Sequence, residues 1–126
     1  MKEKVIGIII VDHGSRLAAS NETLRAATQR YARIGPYEVV EPAHMELAQP
    51  DIATAFDRCA ERGVSQIIVF PYFLSPGRHW QEDIPRLVAE AAQSHPRVEW
   101  QVSAPVGLHD NMMQIITDRI GEALRA

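Results

Sequence analysis

Two short stretches hold most of the side chains that could do chemistry. They are VDHGSR, from Val11 to Arg16, and SPGRHWQEDIP, from Ser75 to Pro85. Each sets a histidine among glycine, serine and arginine. A neutral imidazole suits borderline divalent ions such as Fe(II), Co(II), Ni(II) and Zn(II), and it can accept a proton near neutral pH. His13 and His79 are therefore candidate metal ligands and candidate proton acceptors. Two histidines without cysteine fall short of a closed structural zinc site, so an ion held by them keeps open positions and exchanges. The bland alternative has His13 capping a turn and His79 packing beside Trp80. For a lone loop histidine that alternative wins; for two converging on one cleft the balance reverses.

Around them, Gly14 and Gly77 let the backbone approach a ligand closely. Arg16 and Arg78 offer bidentate donors for carboxylates or phosphates, although a solvated loop arginine is an equal reading of either alone. Trp80 could wall a planar ligand, with a hydrophobic anchor for the helix start as the stronger reading. Glu46, in HMELAQPDI, could orient a ligand or help with metal, or simply favour the next helix N-terminus. His44 is a candidate supporting group near the same edge, His109 a helix-capping residue or a residue of the pocket rim, and His95 a structural residue near a helix C-terminus. Cys59, on a helix core face, is expected to be inert. No GxGxxG, GxxxxGK[ST] or CxxC occurs, which removes the usual support for dinucleotide, P-loop and thioredoxin functions. Histidine phosphatases place an arginine before their histidine; here that position is Asp12.

The elements that must position these residues are four apolar strand-like runs alternating with four helical patterns. The strands are expected at Val5 to Val11, Tyr37 to Met45, Val64 to Phe70 and Val98 to Ala104. The first helix, Ala18 to Arg33, presents Leu24, Ala27, Tyr31 and Ile34 on one face. The second has Pro50 in its first turn, buries Ile52, Phe56 and Cys59, and stops at Gly63. The third starts near Gln81 or Asp83 and buries Ile84, Leu87, Val88 and Ala91. The fourth, His109 to Leu124, buries Met113, Ile116, Ile120 and Leu124.

Strict alternation predicts a three-layer α/β sandwich on a parallel sheet. VIGIII and IIVF are continuous apolar runs, as covered central strands require. VEWQVSA alternates, with Val98, Trp100, Val102 and Ala104 inward, and YEVVEPAHM contains a proline; both features mark edges. The predicted order is 2-1-3-4. Right-handed crossovers then leave in opposite directions from the first and third strands, and the gap between them is a switch point where such sheets bind ligands. That topology brings His13 and His79 to adjacent loops.

Bulk properties narrow the partners. The 126 residues make a single domain, and the net charge of −3 argues against nucleic acid or an anionic membrane as the main partner. One cysteine excludes a disulfide framework and favours a reducing cytoplasm. The apolar run at the N-terminus is interrupted by Asp12 and His13, so it reads as a buried strand, not a signal peptide or membrane span.

The stretches DHGSR, HMELAQPDI, VFPYFLSPGRHWQEDIP and APVGLHD, in this order along nearly the whole chain, resemble the short-form sirohydrochlorin chelatases, a class II tetrapyrrole chelatase family. The resemblance implies a four-stranded chelatase-like half-domain that pairs as a homodimer, longer relatives fusing two copies. It implies a lyase that inserts a divalent metal, Fe(II) or Co(II) with Ni(II) also admitted, into sirohydrochlorin for siroheme or cobalamin synthesis. By motif, His13 corresponds to the family's proton acceptor and metal ligand and His79 to its second ligand. Glu46 and the loop Leu74, Ser75, Pro76, Gly77, Arg78 correspond to substrate-contacting positions. Arg16 and Arg78 are natural counter-groups for a substrate bearing carboxylates. The loop wording is closest to cyanobacterial and plant-type iron-inserting enzymes. The plant forms carry a cysteine-bearing iron–sulfur tail that is not found in these residues, so no tightly bound cofactor is expected. A non-catalytic tetrapyrrole or metal carrier is the alternative, since ligation and catalysis would use the same side chains.

Overall fold

Strands and helices alternate along the chain as β1 (Ile6–Asp12), α1 (Ala18–Ile34), β2 (Val39–His44), α2 (Ile52–Glu61), β3 (Gln66–Pro71), α3 (Arg78–Ala92), β4 (Glu99–Val102) and α4 (Asp110–Arg125). The computed structural model describes residues 4–75 and 77–126; Met1 to Glu3, Pro76 and the side chain of His79 lie outside the described residues. The four strands form one parallel sheet in the order β2-β1-β3-β4, as the strand compositions predict. In register, Asp12 on β1 faces His44 on β2, and Val11 faces Pro71 on β3. The first two loops of interest therefore leave the sheet side by side.

β1 divides its side chains between two layers. Ile9 and Val11 join Val69, Ile52, Phe56, Ile84 and Val88 under α2 and α3. Ile8 and Ile10 turn to the opposite face, where they meet Leu24 of α1. Full burial of each such side chain stabilises the fold by about 1.5–3 kcal/mol. Pro42 sits on the edge strand β2, where no ladder bond is demanded of its missing N–H. Among the described residues no helix is long and apolar enough to cross a membrane.

Five local expectations are corrected. Helix α3 starts at Arg78, not at Gln81 or Asp83. Pro85 lies inside the helix, beyond the first turn where proline is best tolerated. The extra turn is held by Gln81 N–H donating to the Gly77 carbonyl at 3.1 Å and by Trp80. Pro50 lies outside α2, one residue before Asp51, whose carboxylate accepts from Thr54 N–H at 2.8 Å and caps the helix. On α1, Ile34 is exposed because it ends the helix beyond the sheet, and Thr28 is buried instead. The Thr28 hydroxyl donates to the Leu24 carbonyl at 2.8 Å, so its burial leaves no orphan donor. Ala104 lies past the end of β4 and is exposed. Finally, α4 buries none of its residues; Met113, Ile116, Ile120 and Leu124 all face outward.

Candidate functional site

The site is built where the β1–β2 ladder runs on past the strands. Met45 N–H donates to the Asp12 carbonyl at 2.9 Å and Glu46 N–H to the His13 carbonyl at 3.1 Å. These two bonds lay the loop after β2 along the loop after β1 and set Glu46 beside His13. The approach is close enough that a Cβ at Gly14, which has φ +92°, would fall 1.8 Å from the Glu46 carbonyl oxygen. Only glycine fits there.

The His13 ring is oriented through both nitrogens. Nδ1 lies 3.3 Å from the Gly14 carbonyl, which can only accept, so in the tautomer that carries its proton on Nδ1 the lone pair is on Nε2. Nε2 stands 3.1 Å from Glu46 Oε1. A lone pair and a carboxylate oxygen that close repel each other unless a cation lies between them, either a proton or a metal ion. Two donors each about 2.1 Å from a divalent ion, at ordinary bond angles, are about 3.0–3.4 Å apart. The observed spacing is that of two neighbouring ligands. Both side chains are about half exposed (52% and 58%), so an ion can arrive from solvent. Among the described residues no group of three or more His, Cys, Asp and Glu gathers that could hold a metal ion.

Beneath it lies a pair that the sequence reading only half saw. His44 is buried, and its Nδ1 donates to Asp12 Oδ1 at 2.6 Å. The bond ties the last residues of β1 and β2 together directly below His13 and Glu46. The sequence reading named His44 as a supporting group and gave Asp12 no part. Its signal was available, since Asp12 follows one predicted strand and His44 lies near the end of the strand predicted to be its neighbour.

The loop after β3 reaches the same edge. Tyr72 N–H donates to the Val11 carbonyl at 2.7 Å. Phe73 and Trp80 stack with ring centroids 5.9 Å apart, and Trp80 Nε1 donates to the Ser75 carbonyl at 3.1 Å. Trp80 therefore anchors the start of α3 to this loop, the stronger of its two readings. Leu74 and Ser75 are exposed on the loop, Gly77 caps α3 and Arg78 is its exposed first residue; Pro76 lies outside the described residues. Arg16 and Arg78 are exposed and form no ion pair among the described residues. The backbone of His79 occupies the first turn of α3, at the edge shared with His13; its side chain lies outside the described residues.

The remaining histidines keep local roles. His109 Nδ1 accepts from Asn111 N–H at 3.1 Å and caps α4. His95 Nε2 bonds Asp57 Oδ1 at 2.7 Å. The Cys59 thiol is fully buried, and burial pushes its pKa up to about 12, which makes it inert as expected.

The CbiX protein-family model matches residues 7–123. The chain is 45% identical over 118 residues to the chloroplastic sirohydrochlorin ferrochelatase of Arabidopsis thaliana, spanning 94% of this chain and 52% of that protein. It is 30% identical to the sirohydrochlorin cobaltochelatase of Methanopyrus kandleri, covering 95% of this chain and 98% of the relative. Its fold superposes with a TM-score of 0.82 on the sirohydrochlorin chelatase SirB from Bacillus subtilis subspecies spizizenii in complex with cobalt, at 28% identity, over 95% of this chain and 51% of that one. The chain thus spans about half the length of the plant and Bacillus proteins and nearly all of the archaeal one.

Proposed function

The chain belongs to the CbiX family, and from that premise we propose that it is a chelatase inserting a divalent metal, Fe(II) or Co(II), into sirohydrochlorin. Residues 1–126 act as one chelatase-like α/β domain, two copies of which form a homodimer in the cytoplasm. The observation that carries the reading is the 3.1 Å separation of His13 Nε2 and Glu46 Oε1 at the carboxyl edge of the sheet.

Metallation breaks two pyrrole N–H bonds as metal–nitrogen bonds form, and two protons leave. The hydrated ion must shed water on the way. His13 Nε2 and the Glu46 carboxylate can hold the arriving ion as neighbouring donors. Once the ion passes to the macrocycle, the same two groups are free to take the displaced protons. One pair of basic atoms thus serves as dock for the cation and sink for the protons. His79, in the first turn of α3, supplies the second imidazole. Arg16 and Arg78 meet substrate carboxylates as bidentate donors. Leu74, Ser75 and Gly77 contact the substrate from the loop before α3, as does Pro76 by the same motif.

The test is an anaerobic chelation assay with sirohydrochlorin and Fe(II), Co(II) or Ni(II), following the macrocycle's absorbance. Wild-type protein is expected to accelerate the change with Fe(II) or Co(II), and His13→Ala and His79→Ala to abolish the acceleration. Equal rates for the double variant and wild type would sink the reading. Stoichiometric binding without turnover would replace it with a carrier function.

A further inference from the structure

Every loop that leaves the carboxyl edge of the sheet exposes a leucine. Leu17 follows β1, Leu47 follows β2, Leu74 follows β3 and Leu108 follows β4, and they are 53–95% exposed. Among the described residues these are all the exposed leucines outside α4. Backbone bonds join the four loops. Glu46 N–H donates to the His13 carbonyl, Tyr72 N–H to the Val11 carbonyl, and Gly107 N–H to the Phe73 carbonyl at 3.2 Å. The leucines therefore share one edge with His13 and Glu46. Two of them stand where local physics disfavours leucine. Leu17 is the N-cap of α1 and makes no side-chain cap bond, a position that favours serine, threonine, aspartate or asparagine. Among the described residues Leu47 is the one non-glycine with positive φ, at 69°, a left-handed conformation that glycine or asparagine adopts at less cost. Each also leaves an apolar side chain in water. Conflicts of this kind between a residue and its local structure gather at functional sites.

We propose that Leu17, Leu47 and Leu108 act with Leu74 as the apolar grip on the flat face of the tetrapyrrole ring, seating its centre over His13 and Glu46. The inference rests on the chelatase reading above and adds three residues to it. An ion passed on from His13 and Glu46 must meet the ring at its centre, so the ring has to lie across this edge. The chemistry of the ring matches what the edge offers. Its faces are apolar, and its carboxylates lie around the perimeter. Arg16 directly precedes Leu17, and Arg78 begins the helix that follows the loop of Leu74. Each of these guanidiniums thus stands beside an apolar contact, as a flat ring with an anionic rim requires. A protein partner seated on the same leucines would instead cover His13 and Glu46, which an exchanging ion must reach.

The test uses substitutions that improve the local fit while removing apolar surface. Leu17→Ser supplies the missing cap, and Leu47→Asn suits the left-handed backbone. Binding of metal-free sirohydrochlorin is titrated by its absorbance, and chelation is followed at steady state. Each variant is expected to raise the Kd for the ring about 3- to 10-fold, and the pair about 10- to 100-fold. KM for sirohydrochlorin should rise with it while kcat changes little. Tm should hold or increase, and Co(II) affinity without the macrocycle should stay at the wild-type value. A residue that served only the fold would lower Tm when replaced. Leu108→Ser, at a side chain 95% exposed with little packing to lose, should show the same loss of ring affinity. An unchanged Kd for the ring in the Leu17→Ser, Leu47→Asn pair overturns the proposal and leaves the chelatase reading standing. Wild-type protein that neither binds nor metallates sirohydrochlorin overturns both. Weakened self-association in sedimentation with ring affinity intact would assign the leucines to contact between copies of the chain, and also overturns the proposal.

Discussion

Replacing Gly14 by alanine should separate catalysis from stability in this fold. The added Cβ would lie 1.8 Å from the Glu46 carbonyl oxygen, where real Cβ contacts stay above 3.0 Å. The Glu46 backbone must therefore retreat by about 1.2 Å, and a displacement of that order typically costs about 100-fold in rate when it moves a reacting group. The φ of +92° adds strain of about 1–2 kcal/mol for an L-residue. Stretching the Glu46 N–H bond to the His13 carbonyl adds about 1 kcal/mol more. For a chain of this size the sum lowers Tm by roughly 8–12 °C. Gly63→Ala is the internal control. It carries the same kind of strain at φ +83°, but a Cβ there meets nothing within 4 Å, and it lies far from the site at the end of α2. It should lower Tm by about half as much and leave chelation unchanged. Differential scanning calorimetry and the chelation assay, run on both variants, read the two effects separately. Wild-type turnover in Gly14→Ala would refute the claim that the Glu46–His13 spacing matters. A rate loss in Gly63→Ala equal to that in Gly14→Ala would show that the effect is merely loss of fold.

Three further outcomes follow from the same geometry. Glu46→Gln keeps the shape beside His13 Nε2 but removes the charge, and should weaken Co(II) affinity by about 10- to 100-fold in a competition titration, with Tm nearly unchanged. Asp12→Ala leaves the buried His44 Nδ1–H without its acceptor and should cost about 1–3 kcal/mol in urea denaturation; an unchanged midpoint would mean that the pair does not support the strand ends. Asp51→Ala removes the α2 cap and should cost about 1 kcal/mol at neutral pH. The hydrogen bonds from Thr54 hold the Asp51 carboxyl below its ordinary value. Its contribution is therefore full above the unfolded pKa of about 3.9 and fades as pH falls through the lower folded value. Urea midpoints of wild type and variant should differ at pH 7 and converge near pH 2, and a constant gap would assign the loss to something other than the carboxylate.

Much of this arrangement could be read from residue order. Continuous apolar runs marked β1 and β3 as central, alternation and Pro42 marked β4 and β2 as edges, and the order β2-β1-β3-β4 followed. From that order alone His13 and the loop before α3 had to share an edge. The boundaries were less legible. The start of α3 was placed late because propensity is local, whereas the extra turn is held by Trp80 stacking on Phe73 across the loop. Thr28 was passed over because hydropathy ranks the isolated side chain, and its cost of burial vanishes once the hydroxyl meets the Leu24 carbonyl.

The sequence by itself determined which segments are strands, which faces are apolar, and that two histidine-bearing loops leave neighbouring strands. Those properties are periodic or compositional, and a linear chain carries them openly. Only the tertiary structure decided that Glu46 stands one hydrogen-bond length from His13, that Asp12 holds His44 underneath, and that α4 turns its apolar stripe away from its own sheet. The physical reason is the same in each case. Periodicity says that a side chain needs a partner, but the partner is selected by register between strands and by backbone bonds between distant loops.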